Sequence, residues 1–170
     1  MTKQNIMIAY FLIFSAALMR LMPHWPNFVP TVGLAIFAGN VLGTRKVAYI
    51  IVFGSMLISD FLIGFYDIFW VTYLSLGFIV YLGTKIEQTV KSIVFGSLIC
   101  SLIFFVVTNA AVWASGWLYP TTLAGLISCF TMALPFFGFS IAGDLFYTGC
   151  FFGLYSFLTR PAEVRIGVNK

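Results

Sequence analysis

Charged residues are scarce in this chain. Of its 170 residues, only 8% are Asp, Glu, Lys or Arg, whereas 61% are hydrophobic. Soluble domains average about 25% charged residues, so this composition excludes an ordinary soluble protein with a polar exterior. The basic residues occur singly or in pairs between apolar runs, and no basic stripe indicates nucleic acid as a partner. We predict that the chain lies in a lipid bilayer.

Residue types that carry catalysis or bind metals are also few. The chain has one histidine and three cysteines. Cys100, Cys129 and Cys150 lie in apolar segments without C-x-x-C spacing, which favours buried thiols over a metal site or a disulfide framework. There is no G-x-S-x-G or H-E-x-x-H motif, and no polar segment is long enough to bind a nucleotide. Neither "LISDFL" nor "IAGDLF" carries the G-x-G-D pattern of intramembrane aspartyl enzymes. We therefore expect no enzyme, no metal site and no cofactor.

Long apolar runs divide the chain into candidate membrane spans. A helix that crosses a bilayer needs about 20 residues, or somewhat fewer where the membrane thins. Six spans are predicted in one transmembrane domain over residues 1–170, at about 5–22, 28–44, 47–65, 68–83, 92–115 and 138–158. A weaker apolar stretch at 121–134 lies between Pro120 and Pro135, and we predict a short interfacial helix there. The first run is expected to be retained, because "SAALMRLMP" offers no clean small-x-small cleavage site.

The basic residues predict the orientation of these spans. With six spans and the N-terminus inside, only one of the nine Lys and Arg residues, Arg20, would lie outside. The cytoplasmic segments would carry the others: Lys3, Arg45, Lys46, Lys85, Lys91, Arg160, Arg165 and Lys170. This asymmetry follows the positive-inside rule and predicts a multi-pass protein of the bacterial cytoplasmic membrane with both termini in the cytoplasm.

Four polar residues lie inside the predicted spans at similar depth. Arg20 ends the first span, Asp60 lies near the outer end of the third, Asn109 lies high in the fifth and Asp144 lies near the outer end of the last. Ionisable groups in a membrane usually face a protein interior or a wet cavity. Two interpretations remain open: an Arg–Asp pair that only fixes helix packing, or a polar pocket that binds a ligand.

The segment "RLMPHWPNFVP" at residues 20–30 interrupts two apolar runs above these groups. Its three prolines restrict the loop, and His24, Trp25, Asn27 and Phe28 could bond or stack on a ligand, so we predict a lid or wall of the pocket. Trp113 and Tyr119 belong to a second outer segment. For any one of these aromatic rings, an interfacial belt is as good an explanation as ligand stacking.

Small residues recur every four positions in the second span. Thr31, Ala35, Gly39 and Gly43 would share one helix face, and such a face lets another helix approach closely. That helix could belong to a partner protein or to this bundle. Gly149 and Gly153 form a second, shorter pair.

Several strings together resemble a known group of membrane proteins. In order, they are "RLMPHWPNFVP", "ISD", "TNAAVW", "YPTTLAGL", "PFF" and "AGDLF", spread over roughly residues 16–153. They resemble an uncharacterised bacterial integral-membrane family that we group with the substrate-binding S components of energy-coupling-factor (ECF) vitamin importers. The resemblance implies a six-helix ECF S-component-like fold and high-affinity binding. In S components an A-x-x-x-A-like stripe on the first helix docks the coupling protein, whereas "IMIAYFLIFSAALM" has no alanines four apart.

Two hypotheses for function follow. The first is the substrate-binding subunit of an importer for a small water-soluble metabolite or vitamin, with an outward-facing pocket. Other proteins, a transmembrane coupling protein and ATPases, would supply the energy. The alternative is a structural or scaffold membrane protein whose buried charges only fix helix packing.

Overall fold

The described chain is a bundle of helices. The structure is a computed structural model that describes residues 3–22, 25–42 and 45–159. Within these ranges it contains six helices and no strand: α1 Lys3–Met19, α2 Thr31–Val41, α3 Arg45–Ile63, α4 Phe69–Gly83, α5 Val90–Ala114 and α6 Leu123–Thr159. The predicted all-helical class is confirmed.

Three of these helices are long and apolar enough to cross a membrane, by length and composition: Lys46–Ile63, Val90–Ala114 and Leu123–Thr159. The other three contain shorter apolar stretches. The predicted count of six spans is therefore not matched. Large apolar side chains on the outer faces of α5 and α6, such as Phe95, Leu102 and Phe157, are exposed. Apolar exposure of this kind is typical of a surface that contacts lipid or another protein.

α6 differs most from the sequence-based expectation. Pro120 and Pro135 were expected to enclose a separate interfacial helix at 121–134, but α6 continues through Pro135 for 37 residues. Proline fixes φ near the helical value, so its costs inside a helix are the missing N–H and the crowding of the preceding turn. Membrane helices tolerate these costs because neighbouring groups can satisfy the freed carbonyl. The prediction of a separate interfacial helix is wrong.

α2 lies at the centre of the bundle. It is only 11 residues long, it contacts each of the other five helices, and nearly all of its residues are buried. Its side chains Leu34, Ile36 and Phe37 form the core together with Leu76 and Ile79 of α4. The predicted second span, 28–44, is too long at its N-terminal end because α2 begins only after Pro30.

The contacts between helix ends show that helices consecutive in the chain run in alternating directions. Residues just beyond the end of α1 contact the end of α3, and Asp60 near the end of α3 bonds Tyr73 near the start of α4. At the opposite end of the bundle, the Asn40 amide of α2 donates to the carbonyls of Gly83 and Ile86, at 3.0 and 2.6 Å. Arg20 beyond α1, Ile63 at the end of α3 and Asn109 near the end of α5 line one cavity, so the loops that follow these helices belong to one end of the bundle.

Candidate functional site

Arg20 and Asp60 form an ion pair where α1 and α3 end. The Arg20 Nη2 atom lies 2.9 Å from Oδ1 of Asp60, and the Asp60 side chain is almost fully buried. Arg20 Nη1 contacts the Met56 sulfur at 2.8 Å and donates to the Ser59 hydroxyl. Met56, Ser59 and Asp60 are three and four positions apart, so α3 presents all of them on one face. The arginine charge is thus matched by a carboxylate that α3 supplies.

The second oxygen of Asp60 is also satisfied. The Tyr73 hydroxyl donates to Oδ2 at 2.8 Å. The Tyr73 ring is held by two aromatic neighbours: it stacks on Phe53 with centroids 6.0 Å apart and meets Phe69 edge-on at 5.8 Å. Buried charges persist when their partners and hydrogen bonds are complete. This cluster therefore links α1, α3 and α4 and is complete without a ligand.

Asp144 belongs to a different set of polar residues, at the contact of α5 with α6. Ser101 donates to its Oδ2 at 2.6 Å, and one turn away the Ser97 and Thr148 hydroxyls are 3.3 Å apart. All four side chains are buried. On each helix the two residues are four positions apart and share a face, so the two pairs form successive polar contacts between the helices. Among the described residues, no cation pairs with Asp144.

A cavity of about 440 Å³ lies between these two sets of residues. Its polar lining includes Arg20, Asn27, Asn109 and Asp144. Its apolar walls include Phe104 and Phe105 of α5 and Phe136 and Phe137 of α6, and Phe105 stacks on Phe137 with centroids 4.2 Å apart. Ligand pockets typically combine about this volume with apolar and aromatic walls and a few polar groups.

Comparison with known proteins gives one match. The profile of a family of unknown function, DUF6580, matches residues 1–165. The chain belongs to the DUF6580 family. No curated protein and no solved structure matches the chain. The match covers every helix described above and the whole lining of the cavity.

The DUF6580 chain brings only part of the predicted site to the cavity. Asn27 lines it from the loop before α2 and has φ +61°, a left-handed conformation that asparagine adopts more readily than most residues. Asn109 lines it from α5, but its amide nitrogen donates to the Phe105 carbonyl of the same helix at 2.8 Å. The carbonyl oxygen of the Asn109 side chain has no hydrogen-bond partner among the described residues. Asp60 does not line the cavity and acts on it through Arg20.

None of the predicted aromatic residues that the structure describes lines the cavity. Trp25 is 70% exposed and its ring contacts Phe28 and Phe139 edge-on, while Phe28 packs on Phe146 and Tyr147 of α6. Trp113 donates to the Thr122 carbonyl at 3.1 Å, which ties α5 to the loop before α6. Tyr119 is half-buried in that loop. His24 lies outside the described residues.

The small-residue face of α2 is inside the DUF6580 bundle. Thr31, Ala35 and Gly39 are all buried, and a Cβ atom on Gly39 would overlap the carbonyl oxygen of Val80 in α4. The corresponding glycine of α4, Gly83, faces the Ile36 carbonyl, 2.6 Å from where its Cβ would lie. Gly39 therefore packs against α4 within this bundle, which is one of the two alternatives that the four-residue spacing left open. Gly43 lies outside the described residues.

The sequence analysis did not single out several polar residues of the cavity. Ser101, Thr108, Thr72 and Tyr66 line it. The Tyr66 hydroxyl donates to Thr72 at 2.5 Å. Burial raises the pKa of Tyr66 and the Thr72 bond partly opposes this, so the phenol is neutral near pH 7. The four-residue spacing of Ser97 and Ser101 was the available signal for the polar face of α5.

A second, larger cavity of about 560 Å³ lies between the first half of α5 and the last turns of α6. Apart from Gln88, its lining is apolar or hydroxyl-bearing, with Ile93, Val94, Phe152 and Phe157 among the apolar residues. No Asp, Glu, Lys or Arg of the described residues lines it, and none of the predicted binding residues does. We therefore take the cavity beside Asp144, which we call the Asp144 cavity, as the candidate site.

Proposed function

We propose that this chain is the membrane-embedded binding subunit of an importer for a small water-soluble metabolite. The observation that carries the proposal is the Asp144 cavity, where residues from α2 to α6 and from the segment after α1 converge on one space with polar groups inside aromatic walls. Groups of this kind fix the orientation of a small polar ligand. The proposal requires binding alone, without a chemical step.

The distribution of basic residues supports an outward-facing cavity. The cavity lies at the end of the bundle that carries Arg20 and the loops after α3 and α5. The basic residues Lys46, Lys85 and Lys91 belong to the opposite end, at the start of α3 and around the connection from α4 to α5. By the positive-inside rule, the cavity end faces the outside of a bacterial cytoplasmic membrane and both termini face the cytoplasm.

Inward transfer then requires other proteins. The described part of the chain offers no nucleotide-binding motif and a single small bundle, and its resemblance to ECF S components supports a transmembrane coupling protein and ATPases as the energising partners. Because the α2 stripe is buried, the docking surface must lie on outer faces such as those of α5 and α6, whose apolar side chains are exposed.

The alternative function is that of a structural membrane protein. The Arg20, Ser59, Asp60 and Tyr73 cluster favours it, since this ion pair joins three helices and is complete without a ligand. Asp144 distinguishes the two functions, because packing alone does not explain a buried carboxylate that lines a cavity with one hydroxyl as its partner.

Native mass spectrometry of gently purified protein tests the proposal. We expect a bound small molecule in the wild type, and its loss in Asn109→Ala and Asp144→Asn. Asp67→Asn is the matched control, since Asp67 is an exposed carboxylate at the same end of the molecule. Wild-type protein that carries no small molecule, and that no metabolite in a broad panel stabilises against heat, would support the structural alternative.

A further inference from the structure

The charges around the Asp144 cavity do not balance. Arg20 is the only cation among the described residues that line it, and Asp60 neutralises that cation through the 2.9 Å ion pair. Asp144 is then left without a counter-ion among the described residues. Ser101 gives it a single hydrogen bond, through Oδ2, and no other hydrogen bond or ion pair of the described residues involves this side chain.

The protein provides few polar groups that could stabilise a charge on the Asp144 side chain. Its side chain is 4% exposed and lies where α5 packs on α6, with the cavity as the open space beside it. An isolated carboxylate in such a medium is costly, and a cationic partner removes much of that cost. The first turn of α2 also faces the cavity through Thr31 and Val32. Its helix end contributes only about half a positive charge, so the negative charge of Asp144 is reduced but not cancelled.

The aromatic lining gives a second, independent indication. Four phenylalanines, Phe104, Phe105, Phe136 and Phe137, line the same cavity together with Tyr66. Aromatic ring faces carry negative potential and attract cations, and sites for quaternary ammonium groups are commonly built from several such rings. Both the unpaired carboxylate and the faces of these rings would repel an anionic ligand.

We infer that the Asp144 cavity binds an organic cation, with the cationic group next to the Asp144 carboxylate and within the aromatic walls. The inference rests on the proposed function, since it names the substrate class of the same cavity. Arg20 stays paired with Asp60, so the pair as a whole adds no net charge to the cavity. The ligand's uncharged polar groups would bond Asn27, Asn109 and Thr108.

Three probes of nearly equal shape test the charge preference: choline, its neutral carbon analogue 3,3-dimethylbutan-1-ol, and the anion 3,3-dimethylbutanoate. The melting temperature of detergent-solubilised protein is measured against probe concentration, because a ligand that binds only the folded state raises it. We expect choline to stabilise the wild type at concentrations about tenfold lower than the alcohol requires. The anion should have no effect.

The Asp144→Asn variant keeps the shape of the side chain and an acceptor for Ser101 while it removes the charge. It should lose the preference for choline over the alcohol, and Asp67→Asn should retain it. The inference is overturned if choline fails to stabilise the wild type, if the alcohol or the anion stabilises it equally well, or if Asp144→Asn keeps the preference.

If Asp144→Asn does not fold, the charge of the compound that co-purifies with the wild type tests the inference instead. A compound with an ammonium, guanidinium or other cationic group supports the inference. A neutral or anionic compound overturns it and leaves the proposed binding function intact, whereas a protein without any bound compound removes the proposed function itself.

Discussion

At the scale of single residues, the Arg20–Asp60 pair makes a clear prediction about stability. Either Arg20→Met or Asp60→Asn leaves the other member without its partner in a buried site, which typically costs about 3–5 kcal/mol. Combining the two substitutions should restore much of that loss, because no orphan charge remains. Thermal unfolding of the single and double variants in detergent measures the coupling.

The exposed carboxylate Asp67 provides the control for this cycle. Asp67→Asn should leave the unfolding temperature close to that of the wild type, since exposed charges contribute little to stability. If the loss in the double variant equals the sum of the two single losses, the two residues are not coupled and our account of this cluster is wrong.

Depth along the helices predicted which polar residues would be near one another, but not how they would pair. The sequence left Asp60 and Asp144 as equal partners for Arg20. Depth fixes the position of a residue along the helix axis, whereas pairing depends on the rotation of each helix, which is set by packing. In the structure α3 turns Met56, Ser59 and Asp60 toward Arg20, and α6 turns Asp144 toward Ser101.

At the scale of helices, the contact of α2 with α4 depends on glycine. The helix backbones meet where Gly39 faces the Val80 carbonyl and Gly83 faces the Ile36 carbonyl. Gly39→Ala must push the helices apart, and overpacking of this kind costs about 1–3 kcal/mol. Gly54→Ala in α3 is the matched control, because nothing lies within 4 Å of the added Cβ.

The two alanine variants should shift thermal stability in opposite directions. Gly54→Ala should be neutral or stabilising by up to about 1 kcal/mol, since alanine is the better helix former. Gly39→Ala should lower the unfolding temperature. Equal effects of the two substitutions would show that α2 and α4 do not meet at these glycines.

The four-residue spacing on α2 was informative, but it could not name the neighbouring helix. Small residues at this spacing predict close helix contact, and Gly39 does lie in such a contact. Whether the other helix belongs to the same chain depends on how the helices are arranged in three dimensions. Similarly, Pro135 was taken as a helix boundary because proline disfavours helix interiors, while the tertiary environment here keeps α6 continuous.

At the scale of the whole molecule, the alternation of the helices and the placement of the basic residues predict the topology. The loop after α3 should face outward and the loop after α4 inward. In a variant without Cys100, Cys129 and Cys150, a cysteine introduced at Asp67 should react with a membrane-impermeant maleimide on intact cells. One introduced at Glu87 should react only after the cells are lysed. The reverse pattern would place the Asp144 cavity toward the cytoplasm and contradict import.

The short length of α2 has a consequence for where the cavity is. Eleven residues rise by about 16 Å, roughly half of the hydrocarbon thickness that a membrane helix must cross. Val29 and Thr31, on either side of the α2 start, both line the Asp144 cavity, so this space begins where the central helix stops. The short α2 occupies only part of the space between the five helices that it contacts. The cavity therefore lies beyond the N-terminal end of α2, and its position along the bundle depends on the residue at which α2 begins.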